Sequence, residues 1–193
     1  MHTLLSRFEA ATAGPGRVTF VSGDTEVTAT WAELHHDARA VAAALGARGV
    51  RAGDHVALLG PTTRPLVTAM QAVWLCGATL VVLPLPMRMS SIDEFVAQTR
   101  ARDRRADTAL LVLDPDLAPF YTSEAGDPPS VLLSELLPGA VDADPDAWVR
   151  PDEDPDALAI LQFTSGSTSE PKGVMLPHRA VCANLDALAA IQS

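Results

Sequence analysis

The residues best equipped for chemistry lie in one stretch, Thr164-Ser165-Gly166-Ser167-Thr168-Ser169-Glu170-Pro171-Lys172-Gly173. Thr164, Ser165, Ser167, Thr168 and Ser169 offer short hydroxyl donors, and Gly166 lets successive backbone N–H groups converge on an anion. Lys172 is the only lysine in the chain; every other basic side chain is arginine. A compact ammonium on a flexible stem suits a phosphate charge that moves during a reaction. Many short donors, close backbone approach and one mobile cation are what a polyphosphate requires. A Ser/Thr/Gly-rich surface turn would share this composition without doing chemistry. Context favours function: the apolar run Leu158-Ala159-Ile160-Leu161-Gln162-Phe163 precedes the loop, and Gly173 leads into the apolar Val174-Met175-Leu176.

A Walker-type phosphate loop is the nearest competitor, because Gly166 and Lys172 have its spacing. It fails at two positions. Pro171 stands where the second glycine belongs, and Gly173 stands where the Mg²⁺-binding Ser or Thr belongs. The following apolar residues also read as a strand rather than as a helix start.

The elements that must position this loop read as an α/β protein with a mostly parallel sheet and helices on both faces. Val18 to Thr30 predicts a hairpin turning at Gly23-Asp24. Thr30-x-x-Glu33 is a capping box, and Trp31, Leu34, Ala38, Val41, Ala42 and Leu45 follow at helical spacing up to Gly49. His55–Leu59, Thr79–Leu83, Ala109–Leu113 and Val131–Leu133 are short apolar strands. Helices fill the intervals Arg64–Cys76 and Ser91–Arg105. Continuous apolar strands alternating with helices imply a sheet covered on both sides. The nearly uncharged run Leu66–Pro86 could pass for a membrane span, but Gly77 divides it into a helix and a strand. Residues 138–157 hold seven acidic residues and four prolines between Pro138 and Asp156, and predict an extended linker. This gives a three-part organisation: an α/β subdomain at 1–137, the linker at 138–157, and the start of a second subdomain at 158–193. His178 to Ile191 predicts a helix, with His178 and Arg179 as its polar opening. Trp31, Met70 and Trp74 are expected in the core.

Composition excludes several functions. A net charge of −10 argues against a nucleic-acid surface. The one basic run, Arg100, Arg102, Arg104 and Arg105, is interrupted by Asp103 and reads as a solvated helix face. Cys76 and Cys182 sit far apart in apolar segments, as free thiols do in a reducing compartment. Arg7 and Glu9 break the N-terminal stretch, so no signal peptide is expected there, and the chain reads as cytoplasmic.

The stretch Phe163–Val174 resembles the signature loop of the acyl- and aminoacyl-adenylate-forming superfamily, which includes acyl-CoA synthetases, peptide-synthetase adenylation domains, luciferases and fatty acyl-AMP ligases. Trp31-Ala32-Glu33-Leu34, Gly53-Asp54-His55-Val56-Ala57 and Trp74-Leu75-Cys76-Gly77-Ala78 occur in similar order there. Ser169 departs from the usual glycine, which resembles the fatty acyl-AMP ligase branch. The resemblance implies the N-terminal part of such an enzyme's large domain, with ATP and Mg²⁺ as cofactors. A carboxylate, expected to be a fatty acid, would attack the α-phosphate to give acyl-AMP and pyrophosphate. The acyl group would then pass to the phosphopantetheine thiol of an acyl carrier protein, or alternatively to coenzyme A. Thr164 to Ser169, Lys172 and Gly173 would hold the departing phosphates. The resemblance places the family's adenine, ribose, acidic Mg²⁺ and catalytic-lysine positions beyond Ser193, so no catalytic residue is assigned within this stretch and it is expected to be inactive alone. The rival reading is a nucleotide-binding piece without turnover.

Overall fold

The computed structural model describes residues 2–85, 91–140, 144–163 and 172–192. Helix α1 (Leu4–Thr12) begins where the Thr3 hydroxyl accepts from the Ser6 N–H. Strands β1 (Arg17–Ser22) and β2 (Thr25–Thr30) form the expected antiparallel hairpin, closed by Gly23 at φ +57°. The capping box then starts α2 (Trp31–Ala47). The Thr30 N–H donates to Glu33 Oε2 at 2.7 Å, and the Glu33 N–H donates to Thr30 Oγ1 at 3.1 Å. Such reciprocal capping satisfies two otherwise orphaned donors.

From there strand and helix alternate: β3 (His55–Leu59), α3 (Arg64–Leu75), β4 (Thr79–Val82), α4 (Ile92–Arg105) and β5 (Thr108–Leu113). Then come β6 (Ser130–Leu132), β7 (Leu158–Phe163), β8 (Gly173–Pro177) and α5 (His178–Gln192). Strands β3 to β8 make one six-stranded sheet in the order β6-β5-β3-β4-β7-β8. The first five are mutually parallel and β8 runs antiparallel to β7. The near-uncharged run from Leu66 divides at Gly77, whose φ of +70° ends α3 and admits β4. Among the described residues no helix is long and apolar enough to cross a membrane.

Strand alternation sorts the apolar residues onto two faces. Val56, Leu58, Leu80, Leu110, Val112 and Ala159 face α1, α2 and α3 and meet Cys182 of α5. Ala57, Leu59, Val81, Leu83, Leu111, Leu113 and Leu161 face Phe95 and Val96 of α4 and the ring of Tyr121. Trp74 is buried as expected; Trp31 and Met70 are only partly buried.

The acidic stretch expected as a linker makes contacts of its own. Residues 144–157 lie as a strap across the helices. Trp148 packs against the core of the α2–α3 side, donates from Nε1 to the Leu75 oxygen at 2.8 Å and meets His35 edge-on at 6.1 Å. Asp146 pairs with Arg39, and Arg150 grips Glu9 with two bonds of 2.8 and 2.9 Å. Glu153 accepts from both Arg150 and the Thr3 hydroxyl. The acidic residues are thus largely solvated or ion-paired around one half-buried indole, and the chain beyond them returns to the same sheet at β7, beside β4.

Candidate functional site

In a parallel sheet the strands' C-terminal ends collect on one rim. Loops that leave neighbouring strands toward opposite faces open a crevice between them. Here the chain leaves β3 for α3 on one face and leaves β4 for α4 on the other. The crevice therefore lies at the C-terminal ends of β3 and β4. Strand β7 is β4's other neighbour, and it ends on the same rim at Phe163.

The candidate loop joins β7 to β8 at that rim. Thr164, Ser165, Gly166, Ser167, Thr168 and Ser169 lie outside the described residues; its last members, Lys172 and Gly173, are described. Gly173 pairs with Phe163 at the open end of the β7–β8 ladder, and Lys172 precedes it on the exposed surface. A β-carbon on Gly173 would approach Leu161 Cδ1 to 3.1 Å, so the glycine lets β8 seat against β7 where the loop begins and ends.

The rest of the rim is tightly built. The Asp114 N–H donates to the Leu59 oxygen at 2.8 Å, and Asp114 Oδ1 accepts from the Asp116 N–H at 3.0 Å. A β-carbon on Gly60 would come within 2.9 Å of Asp114 Cβ, so the exits of β3 and β5 pass each other only because residue 60 is glycine. Sequence reasoning did not single out Gly60 or Asp114; a glycine directly after a buried strand was the available signal. Beside them Val82, Gln162 and Val174 form one exposed row across β4, β7 and β8.

Strand β8 carries the chain away from this rim. Five residues span about 17 Å at strand rise, so His178 and Arg179 stand at the opposite end of the sheet. His178 is buried, and its Nδ1 accepts from the Leu4 N–H at 3.2 Å. Burial lowers the imidazole below its usual range, against the opposing pull of Glu153 and Asp154. It ties α5 to α1 and lines a cleft of about 300 Å³ with Thr3, Trp74 and Glu153. This is a structural histidine, in keeping with its reading as a polar helix start.

Among the described residues no group of three His, Cys, Asp or Glu side chains could hold a metal ion. Cys76 and Cys182 are both free. Burial raises the Cys76 thiol to about 12, which removes it as a nucleophile at neutral pH.

A family model described as AMP-binding enzyme matches residues 8–193. The phenyloxazoline synthase MbtB of Mycobacterium tuberculosis is 39% identical over 158 residues, covering 78% of this chain and 10% of its own length. The acetate–CoA ligase CCL3 of Humulus lupulus is 30% identical, over 88% of this chain and 34% of its own. Among solved structures, the fatty acyl-adenylate ligase of L. pneumophila in complex with acyl adenylate and pyrophosphate superposes with a TM-score of 0.82. It is 26% identical, over 96% of this chain and 32% of that one. The chain spans about a third or less of the length of these relatives.

Proposed function

This chain belongs to the AMP-binding enzyme family of adenylate-forming ligases, and on that footing we propose that it serves ATP-dependent activation of a fatty acid to acyl-AMP, followed by transfer to the thiol of an acyl carrier protein. The observation that carries the reading is the position of the β7–β8 turn: a hydroxyl-rich, lysine-bearing loop is hung from a strand ending beside the crevice of a parallel sheet. In this reading the hydroxyls of Thr164, Ser165, Ser167, Thr168 and Ser169, the backbone around Gly166 and Gly173, and the Lys172 ammonium hold the β- and γ-phosphates. The acid's carboxylate oxygen bonds to the α-phosphorus, the bridge to the β-phosphate breaks, and the loop keeps the departing pyrophosphate charge neutralised. Mg²⁺, which this family generally uses, would share that charge. Free thiols at Cys76 and Cys182 fit a cytoplasmic setting.

The fatty acid and the carrier protein rest on two supports, Ser169 in place of the usual glycine and the likeness to the L. pneumophila ligase. Coenzyme A as acceptor is the second reading, favoured by the likeness to the acetate–CoA ligase. The test uses the longest natural protein containing this chain. With ATP, Mg²⁺ and a labelled fatty acid it should exchange pyrophosphate into ATP and load a phosphopantetheinylated carrier protein. No exchange with any carboxylic acid would refute adenylation. Acyl-CoA formed without any acyl-carrier product would leave adenylation standing and replace the acceptor.

A further inference from the structure

Strand β7 enters the sheet irregularly. Leu158 faces Pro177 and Ile160 faces Leu176, so two steps on β7 are matched by one on β8. Among the described residues Ala159 has no partner in either ladder, because the pairing with β4 begins at Leu80 and Ile160. Ala159 and Ile160 also pack against the same cluster on the α1–α3 side, where strand alternation would have sent them to opposite faces. Ala159 is therefore the extra residue of a β-bulge. Two buried side chains hold it. Trp74 Nε1 donates to the Ala159 oxygen at 2.8 Å, and the Thr79 hydroxyl donates to the Leu158 oxygen at 3.1 Å. Trp74 lies in the last turn of α3, and Thr79 opens β4. The Thr79 N–H in turn donates to the Asp54 oxygen, just ahead of β3, at 2.8 Å. The bulge is thus indexed to the elements that bound the crevice.

Beyond the bulge the ladder runs one for one to Phe163 opposite Gly173, the two ends of the hydroxyl-rich loop. Without the extra residue Gly173 would face Gln162, and such a one-residue slip exchanges the faces of the side chains beyond it. The rim is cut for the observed register: a β-carbon at residue 173 would stand 3.1 Å from Leu161 Cδ1 and 3.6 Å from Phe163 Cε1. We propose that Trp74 and Thr79 are positioning residues for the reaction. They fix the bulge at Ala159, and the bulge sets the register in which β7 and β8 present the two ends of the phosphate-binding loop. This rests on the reading that the loop holds the β- and γ-phosphates. Each side chain acts through the backbone at the far end of β7 from Phe163.

Amide hydrogen exchange on the longest natural protein containing this chain tests the register without needing turnover. Thr79→Val keeps the side chain's shape and removes the hydroxyl; Thr79→Ser keeps the hydroxyl. In Thr79→Val the amides of Phe163 and of Gly173 to Met175 should exchange about 3- to 10-fold faster. Helices α2 and α4 should keep parental protection, and Thr79→Ser should match the parent. Acceleration confined to Leu158 and Ala159, or spread evenly over the fold, overturns the proposal. Pyrophosphate-exchange kinetics then read the role in the reaction. In Thr79→Val, kcat/KM for ATP should fall about 10- to 100-fold, as a displaced binding group costs, with KM for the carboxylic acid unchanged and Thr79→Ser near the parent. Trp74→Phe, which removes the other donor, should show the same split between substrates. An unchanged constant for ATP, or equal losses for both substrates, overturns the proposal. A parent that exchanges no pyrophosphate with any acid refutes the adenylation reading alone, and the amide readout still decides whether Thr79 and Trp74 set the loop's ends.

Discussion

The indole Nε1 of Trp74 donates to the backbone oxygen of Ala159 at 2.8 Å, joining α3 to β7 across 85 residues of chain. The same helix that packs on β3 and β4 therefore also holds the strand that carries the candidate loop. Trp74→Phe keeps most of the ring's burial and removes the donor. It should lower unfolding free energy by about 1–3 kcal/mol, read as a reduced urea midpoint with unchanged m-value. A midpoint equal to the parent's would mean the bond contributes nothing to seating β7.

Lys172→Ala should slow adenylate formation roughly 10- to 100-fold, as expected for a charge-assisted contact worth about 1.5–3 kcal/mol. Lys172 is exposed at the rim rather than packed in the core, so the circular dichroism spectrum and Tm should not change. Pyrophosphate-exchange kinetics on the longest natural protein provide the measurement. A parental rate would remove the loop from phosphate binding.

Gly60→Ala should destabilise the rim. The added methyl meets Asp114 Cβ at 2.9 Å, a contact that no flexible side-chain end can relieve. Overpacking of this kind costs typically 1–3 kcal/mol. Thermal melts would register the loss, and a variant as stable as the parent would show that the β3 and β5 exits move apart freely.

Asp103 supplies a pH signature. Burial raises its carboxyl to about 6 from an ordinary 3.8, with the Thr108 hydroxyl pulling the other way and Asp127 adding to the rise. A folded-state pKa above the unfolded one means the native protein holds the proton more tightly. The associated stability is then fully present below pH ~4 and is lost as pH rises through about 6. Asp103→Asn does not titrate. Its stability relative to the parent should therefore improve by on the order of 2–3 kcal/mol between pH 4 and pH 7. Urea titrations of both proteins at the two pH values test this. A gap independent of pH would show that Asp103 ionises in the fold as it does in water.

Much of this architecture was legible in the residues. The capping box at Thr30 and Glu33, the apolar runs at His55–Leu59 and Thr79–Val82, and the break at Gly77 are local signals, and local geometry obeys them. The candidate loop was legible through residue type and spacing alone. Its position in space was not, because the pairing of β4 with β7 depends on burial shared between segments far apart in sequence. The docking of the strap was not legible for a related reason. Acidic residues and prolines dominate residues 144–157, yet Trp148 and Arg150 dock the segment, and their partners Leu75 and Glu9 lie in helices that no short window includes. His178 shows the same limit. Its role became visible only once β8 had carried it to the far end of the sheet, under the Leu4 N–H.

Between β4 and β7 the chain makes α4, β5, β6 and the strap before β4's second neighbour arrives. During synthesis the edge of β4 that β7 will occupy stands open, with unpaired N–H and C=O groups beside Leu80 and Val81. An open apolar edge invites pairing with another chain. Closing it late, across so long a loop, makes this step slow relative to the local β3–α3–β4 unit. A nascent chain stalled before Leu158 would thus be the species most prone to aggregate, and the nine residues of Trp148 to Asp156, emerging just ahead of β7, would be the first to shorten that search by anchoring on α1 and α3.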